Sequence, residues 1–415
     1  MTIQNSTLQI NNRYSAKILL LIVFLVTIYF IANNLGQTLQ IFWLIGLSVG
    51  FVLQRSRLCF ASGFRDLFLM KQGTTMKGIL AGLGIGIIGF TMVMSGIYPE
   101  PNGVSIPSAG NILPVGIATI AGGLLFGVGM VLAGGCVSGS LYRMGEGYLT
   151  SWVTMVGIII GNFILNQTWN WWWDFSIYAD PLTWLPNEIG YSAAIFISLS
   201  LLLIAYVAIV KIETSVPTFI PPTITKVQNN ISKQKTNFIQ NFYPTLTKIF
   251  KDGWSPVIGA SVLAIINIIV FTRFAPLGVV GEISRWGAYI GDFFGVATPS
   301  LKGISNIGGC SLEEMMTGNF FAHNHFFMNT GIVVGSFSAA LIANEFKLRI
   351  SKSFIRYIQS FIGGIGMGYG AGLAIGCTIG AFFSAIPSLA LSGWVFAFSL
   401  FVGAFIGSKI ITKLM

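Results

Sequence analysis

Charge is what this sequence has least of. Of its 415 residues only 9% are Asp, Glu, Lys or Arg, against about 25% in an ordinary soluble protein. From Ile358 to Ser408 there is none at all. A bilayer core takes ~20 mostly apolar residues per helical span, so that stretch holds two spans and an uncharged connection. The scarcity excludes a soluble globular chain. Cysteine is also rare: Cys59, Cys136, Cys310 and Cys377 are far apart, with no C-x-x-C and no zinc-type spacing, which leaves free thiols as the expectation. The two histidines, His323 and His325, form H-x-H, too few ligands for a metal site. No G-x-x-x-x-G-K-[ST] occurs, so no nucleotide motor is indicated, and no cofactor is expected. No acidic residue stands mid-span in the clear apolar runs, so no proton relay shows itself.

What is present is 54% hydrophobic residues and a mean hydropathy of +0.77, which together describe a polytopic α-helical membrane protein. The net charge of +10 would suggest nucleic acid in a soluble protein. Here the lysines and arginines sit in loops, as the positive-inside rule requires, and no nucleic-acid partner is expected. An Asn-rich polar head with Arg13 and Lys17 precedes the first apolar run. It is long and has no marked small-residue cleavage site, so a cleaved signal peptide is not expected.

In chain order, apolar runs cover Ile18–Ala32 and Leu39–Leu53, followed by Gln54–Lys77 with five bases and one acid. Gly78–Ile97, Ile112–Ala133, Tyr148–Leu165 and Tyr191–Val210 are the next spans. Between the last two, Asn166–Glu188 carries five tryptophans, three acids and no base, the composition of an outer interfacial belt. Lys211–Asp252 holds six lysines against one Glu and one Asp. It divides the chain into an N-terminal transmembrane half (1–210), a basic cytoplasmic linker (211–253) and a C-terminal transmembrane half (254–415). In that half Pro256–Thr272 and Phe326–Ala343 are spans. Arg273–His325 mixes charges with short apolar pieces and reads as broken helices and a loop.

One motif occurs twice. Gly122–Gly161 and Gly363–Gly407 align when Cys136 is set on Cys377, which also sets Gly127 on Gly368, Gly129 on Gly370, Gly135 on Gly376 and Gly139 on Gly380. Basic loops orient the chain with both termini cytoplasmic, so the run before Cys136 travels inward and the run before Cys377 outward. The expected architecture is all-α, with two inverted pseudo-symmetric repeats and re-entrant or broken helices, the design that puts a transporter's substrate near the bilayer midplane. A-G-G-C-V-S-G and A-I-G-C-T-I-G hold enough glycine to break a helix, and irregular backbone at that depth is tolerated where it lines a cavity. Such a break presents free N–H groups, those around Gly135 and Gly376 among them, to an anion. Close packing through small residues is the other use of glycine here.

The paired positions single out Cys136 and Cys377. Cys59 joins them because it follows Arg55-Ser56-Arg57-Leu58 at the mouth of a basic loop. A thiol is a weak donor and acceptor, suited to touching a sulfur-bearing anion without holding it. Arg57, Arg143 and Glu146 are candidates for a pore mouth. A membrane thiol enzyme or redox carrier is the alternative: it needs an activated thiolate, and only Cys59, near Arg55 and Arg57, could supply one.

The pieces RSRLCFASGFRD, GGCVSGSLYRMGEG, EFKLR and GCTIGAFFSAIPSLALSGW resemble the YeeE/YedE sulfur-transport family of bacterial inner-membrane proteins, from about Gly46 to the C-terminus. The resemblance implies a thiosulfate permease in which Cys59, Cys136 and Cys377 relay the ion by S–H···S contacts across a narrow waist. It also implies a cytosolic TusA-like sulfurtransferase partner. Thr378 stands where the family pattern would have Asn.

Overall fold

The computed structural model describes residues 23–101 (less 24 and 35), 107, 110–214, 250–304 (less 297 and 298) and 323–414. Most of the expected 211–253 linker, and Cys310 with its surroundings, lie outside these. The described residues form helices and, among them, no β-strand, only isolated bridges such as Pro114 with Leu182. Among the described residues eight helices are long and apolar enough to cross a bilayer.

The N-terminal half runs α1 (Leu25–Asn34), α2 (Gln37–Ser56), α3 (Phe60–Leu69), α4 (Thr74–Ile97), α5 (Ile117–Ala133), α6 (Val137–Gly145), α7 (Leu149–Phe175) and α8 (Leu185–Thr214). The C-terminal half runs α9 (Pro256–Arg273), α10 (Val280–Phe293), α11 (Asn324–Ile342), α12 (Phe354–Leu373), a π-helical turn Thr378–Ser384, and α13 (Leu391–Leu414). Three short helices, α3, α6 and α10, begin at one-residue extended caps (Cys59, Cys136) or a short turn (Val279) after a long one. The Arg273–His325 region thus contains a genuine broken segment. The break agrees with the reading of that region as broken helices, but Glu282, Arg285 and Trp286 of α10 do not mark the helix in the sequence, because they have the composition of a loop. In the structure Glu282 and Arg285 are fully buried and paired with one another at 2.9 Å, and Trp286 donates its indole N–H to the same carboxylate at 2.7 Å. A buried charge is tolerated when it is paired and hydrogen-bonded.

Small residues set how the long helices meet, because lipid tails give apolar helices no hydrophobic reason to associate and close backbone contact must supply the attraction. A Cβ placed on Gly50 would lie 2.1 Å from the Ile332 carbonyl oxygen, and one on Gly161 2.2 Å from that of Ile365. Matching such contacts along each pair gives the directions. Gly46 and Gly50 of α2 meet Met328 and Ile332 of α11, and Gly78, Gly82 and Gly89 of α4 meet Pro256, Ala260 and Ile268 of α9. Gly157 and Gly161 of α7 meet Phe361 and Ile365 of α12, and Gly123 and Gly127 of α5 meet Phe396 and Leu400 of α13. All four pairs are parallel. The central pair is antiparallel: Gly122 of α5 meets Gly370 and Ala374 of α12, while Gly129 meets Gly363 and Met367.

The molecule has a basic end and a tryptophan-rich end. At the basic end Arg55 binds the Phe250 and Lys251 carbonyl oxygens and the Glu345 carboxylate, and Lys77 pairs with Glu213. At the other end Trp184 donates to the Ser388 carbonyl at 3.1 Å and Trp169 to that of Lys302 at 3.0 Å. α8 packs mainly on α4, and most of its surface faces outward.

Candidate functional site

The two helices of the antiparallel crossing, α5 and α12, are both interrupted at the aligned motif. α5 stops at Gly134, which adopts the left-handed conformation (φ 78°) and returns its N–H to Met130. Glycine suits that conformation, and a Cβ there would also fall 2.5 Å from the movable Arg356 guanidinium. Cys136 follows in extended conformation and caps α6: its sulfur accepts the Gly139 N–H at 3.3 Å and lies 3.4 Å from the Ser138 hydroxyl. A cysteine thus does the work usually given to a serine or aspartate at a helix start.

Cys59 stands at the start of α3, likewise extended but without a sulfur cap, after α2 ends on a left-handed Arg57 (φ 49°). The two cysteines converge. The sulfurs of Cys59 and Cys136 are 3.9 Å apart, both fully buried and neither in a disulfide. Gly139 makes room for them, because a Cβ there would be 2.6 Å from the Cys59 sulfur and 3.1 Å from that of Cys136.

On the other side α12 ends in a left-handed residue that is not glycine, Ile375 (φ 54°). Cys377 follows, fully buried, and opens the π-helical turn. Its sulfur lies among the backbone of Ile379, Gly380 and Val279. No hydrogen bond joins it to the other two thiols among the described residues. The link between the breaks is Thr378: its buried side chain lies beside the Cys136 thiol, within hydrogen-bonding reach of it. The freed backbone of the turn is served from outside. Asn111 donates to the Gly380 carbonyl at 2.6 Å, and Asn267 donates to the Ser384 hydroxyl, which in turn donates to Leu277.

From the basic end, a cavity of ≈ 270 Å³ reaches Gly134, Gly135 and Ser140, directly behind the Cys136 cap. Four arginines line it: Arg65, Arg143, Arg349 and Arg356. Arg143, a candidate for a pore mouth, is one of the four. Glu146 stands nearby, 3.8 Å from Arg349 and accepting from Gln54 at 3.2 Å. Burial pushes its carboxyl above the usual range, with Gln54 and the arginines pulling the other way. Arg57 is elsewhere, an exposed residue 3.5 Å from Glu345. Sequence reasoning missed Arg65, Arg349 and Arg356 as site residues, although their grouping in the basic loops was visible. Gly376 packs on Ala381, holding the second turn tight.

Comparison with known proteins decides what this arrangement belongs to. A family model described as sulphur transport matches residues 55–406. The chain belongs to the sulphur-transport family. Among its relatives, the thiosulfate transporter TsuA of Spirochaeta thermophila is 29% identical over 362 residues, covering 87% of this chain and 95% of that protein. The thiosulfate transporter TsuA of Escherichia coli is 25% identical over 378 residues, 88% of this chain and 92% of that one. The probable transporter YedE of Salmonella typhimurium is 34% identical over 175 residues, 41% of this chain and 40% of its own. Family membership makes this a multi-pass membrane transport protein rather than an enzyme. The geometry agrees. The enzyme reading placed Arg55 and Arg57 near Cys59; Arg55 instead bonds Gln54, Glu345 and two backbone carbonyls, and Arg57 is exposed and pairs with Glu345. No group of three or more His, Cys, Asp or Glu that could hold a metal occurs among the described residues.

Proposed function

We propose that this chain is a bacterial inner-membrane permease for thiosulfate or a closely related small sulfur-containing anion, handed along cysteine thiols at a central constriction. The observation that carries this is the meeting of Cys59 and Cys136 at the break of α5, with the Cys377 turn of α12 bringing Thr378 against it. Thiols give a sulfur anion weak, replaceable partners, and a permease needs weak sites because an ion held tightly does not leave. The names of the two long relatives, thiosulfate transporters both, support the substrate.

The helix pairing supports an inverted repeat. If α2, α4, α5 and α7 correspond to α9, α11, α12 and α13, a two-fold axis in the membrane plane turns the α2–α11 pair into α9–α4 and the α5–α13 pair into α12–α7. The antiparallel α5–α12 crossing maps onto itself. Every parallel and antiparallel contact described above obeys that exchange. The basic end then faces the cytoplasm, with both termini there, the 211–253 linker joining the halves, and a TusA-like sulfurtransferase as the acceptor of the delivered ion.

Growth dependent on thiosulfate tests the reading. Cys136→Ala and Cys377→Ala abolish it, and Cys310→Ala does not. Unchanged growth in both of the first two variants would refute the relay.

A further inference from the structure

We infer that the arginine-lined cavity at the basic end is a separate binding site for small divalent oxyanions, selected by charge and not by sulfur. This rests on the transport reading only for its role, which is to take the ion from the thiols and release it. The binding itself follows from the cavity.

Arg65, Arg143, Arg349 and Arg356 come from four different segments: α3, α6, the α11–α12 loop and α12. Two are partly neutralised, Arg65 by Asp66 at 2.8 Å and Arg349 by Glu146 at 3.8 Å. Arg143 and Arg356 have no carboxylate partner among the described residues. Arg143 donates to the Gly134 carbonyl and the Tyr142 hydroxyl, and Arg356 to Gln359 at 3.5 Å. Two guanidinium charges are therefore in excess, the match for a dianion.

A second, independent feature points the same way. The 27-residue helix α7 starts at the cavity wall with no side-chain cap and no acid in its first turn, and Thr150 and Ser151 of that turn line the cavity. The Leu149 and Ser151 amides already bond the Arg349 and Tyr148 carbonyls, so the helix start adds chiefly the partial positive charge of its dipole, which favours an anion. The volume of ≈ 270 Å³ is several times the roughly 30 Å³ of one water, enough for a small oxyanion with part of its hydration. Guanidinium forks fit tetrahedral oxyanions but do not distinguish a terminal sulfur from an oxygen. Sulfate and thiosulfate therefore bind here alike, whereas the thiol constriction favours thiosulfate.

The test is equilibrium binding of radiolabelled sulfate and thiosulfate to the purified full chain in detergent, beside uptake in liposomes. Wild type binds both ions with similar affinity, and binding weakens as salt rises. Arg356→Gln weakens sulfate binding on the order of tenfold, and Arg356→Lys recovers part of it. Thr150→Asp puts a carboxylate in the first turn of α7, which suits the helix and keeps the fold, but it offsets one of the two excess guanidinium charges and weakens sulfate binding on the order of tenfold. Cys136→Ala leaves sulfate binding intact while uptake stops. Absence of sulfate binding in wild type, or equal binding in wild type and Thr150→Asp, overturns the inference. Failure of wild type to take up thiosulfate while sulfate binding follows this pattern would instead sink the permease reading and leave the site standing.

Discussion

The breaks at Cys136 and Cys377 are built on one plan and finished differently. Each follows a helix that ends in a left-handed residue, then a glycine, then an extended, fully buried cysteine. In the first, Gly134 takes the left-handed position without strain, the cysteine sulfur caps an α-helical turn, and a second thiol stands 3.9 Å away. In the second, Ile375 is forced into that conformation and the chain winds into a π-helical turn with no sulfur cap. The place corresponding to Cys59 is taken by the backbone of Val279. The first break backs onto an arginine cavity. The second is enclosed by Phe382, Phe383 and Leu389, all buried, and is held by asparagine and serine hydrogen bonds. The difference teaches that a repeated motif fixes where a thiol is presented, while its surroundings decide which groups that thiol meets.

The sharpest way to break the comparison is at Gly139, whose aligned residue Gly380 has no thiol pair to accommodate. Gly139→Ala puts a methyl 2.6 Å from the Cys59 sulfur and separates the pair; thiosulfate uptake should fall roughly tenfold or more, equivalent to ~1.4 kcal/mol. Gly380→Ala tests the other side, and an equal loss there would show that glycine serves only packing. The next effect concerns Thr378. Thr378→Val removes the hydroxyl beside the Cys136 thiol while keeping the side chain's shape, and should slow uptake severalfold. Unchanged transport would remove Thr378 from the path.

A smaller effect separates the two left-handed positions. At Ile375 both truncations leave a cavity, but Gly should be more stable than Ala by ~1 kcal/mol, because left-handed backbone costs an L residue about that much. Within a normal helix the order is reversed, so the ranking of Ile375→Gly and Ile375→Ala in chemical denaturation reads the backbone directly. The smallest effect is electrostatic. Glu146 beside the first break has a raised carboxyl pKa, so its protonated form favours the folded state. Its contribution is present below the ordinary carboxylate value and is lost as pH rises through the raised one. Glu146→Gln should flatten stability against pH in that window, and an unaltered profile would mean that the burial is compensated.

The spans, the aligned cysteine motifs and their opposite directions were legible because hydropathy and charge placement are local properties of a chain in lipid. The antiparallel α5–α12 contact follows from the same glycines. The thiol pair was not legible, since Cys59 and Cys136 are 77 residues apart and no spacing rule links the caps of two different half-helices. Nor was α10. Its Glu282–Arg285 pair has the composition of an exposed loop, and only tertiary packing reveals that the charges neutralise one another inside the protein. Arg65, Arg349 and Arg356 were visible as charges in the basic loops. That they converge on one cavity depends on how α3 and α12 fold back against α5.

The most direct measurement is uptake of radiolabelled thiosulfate by the purified protein in liposomes, with external sulfate as competitor, for wild type, Cys136→Ala and Cys377→Ala. The account predicts accumulation by wild type that sulfate does not suppress, and none by either variant. Full accumulation by both variants would contradict it.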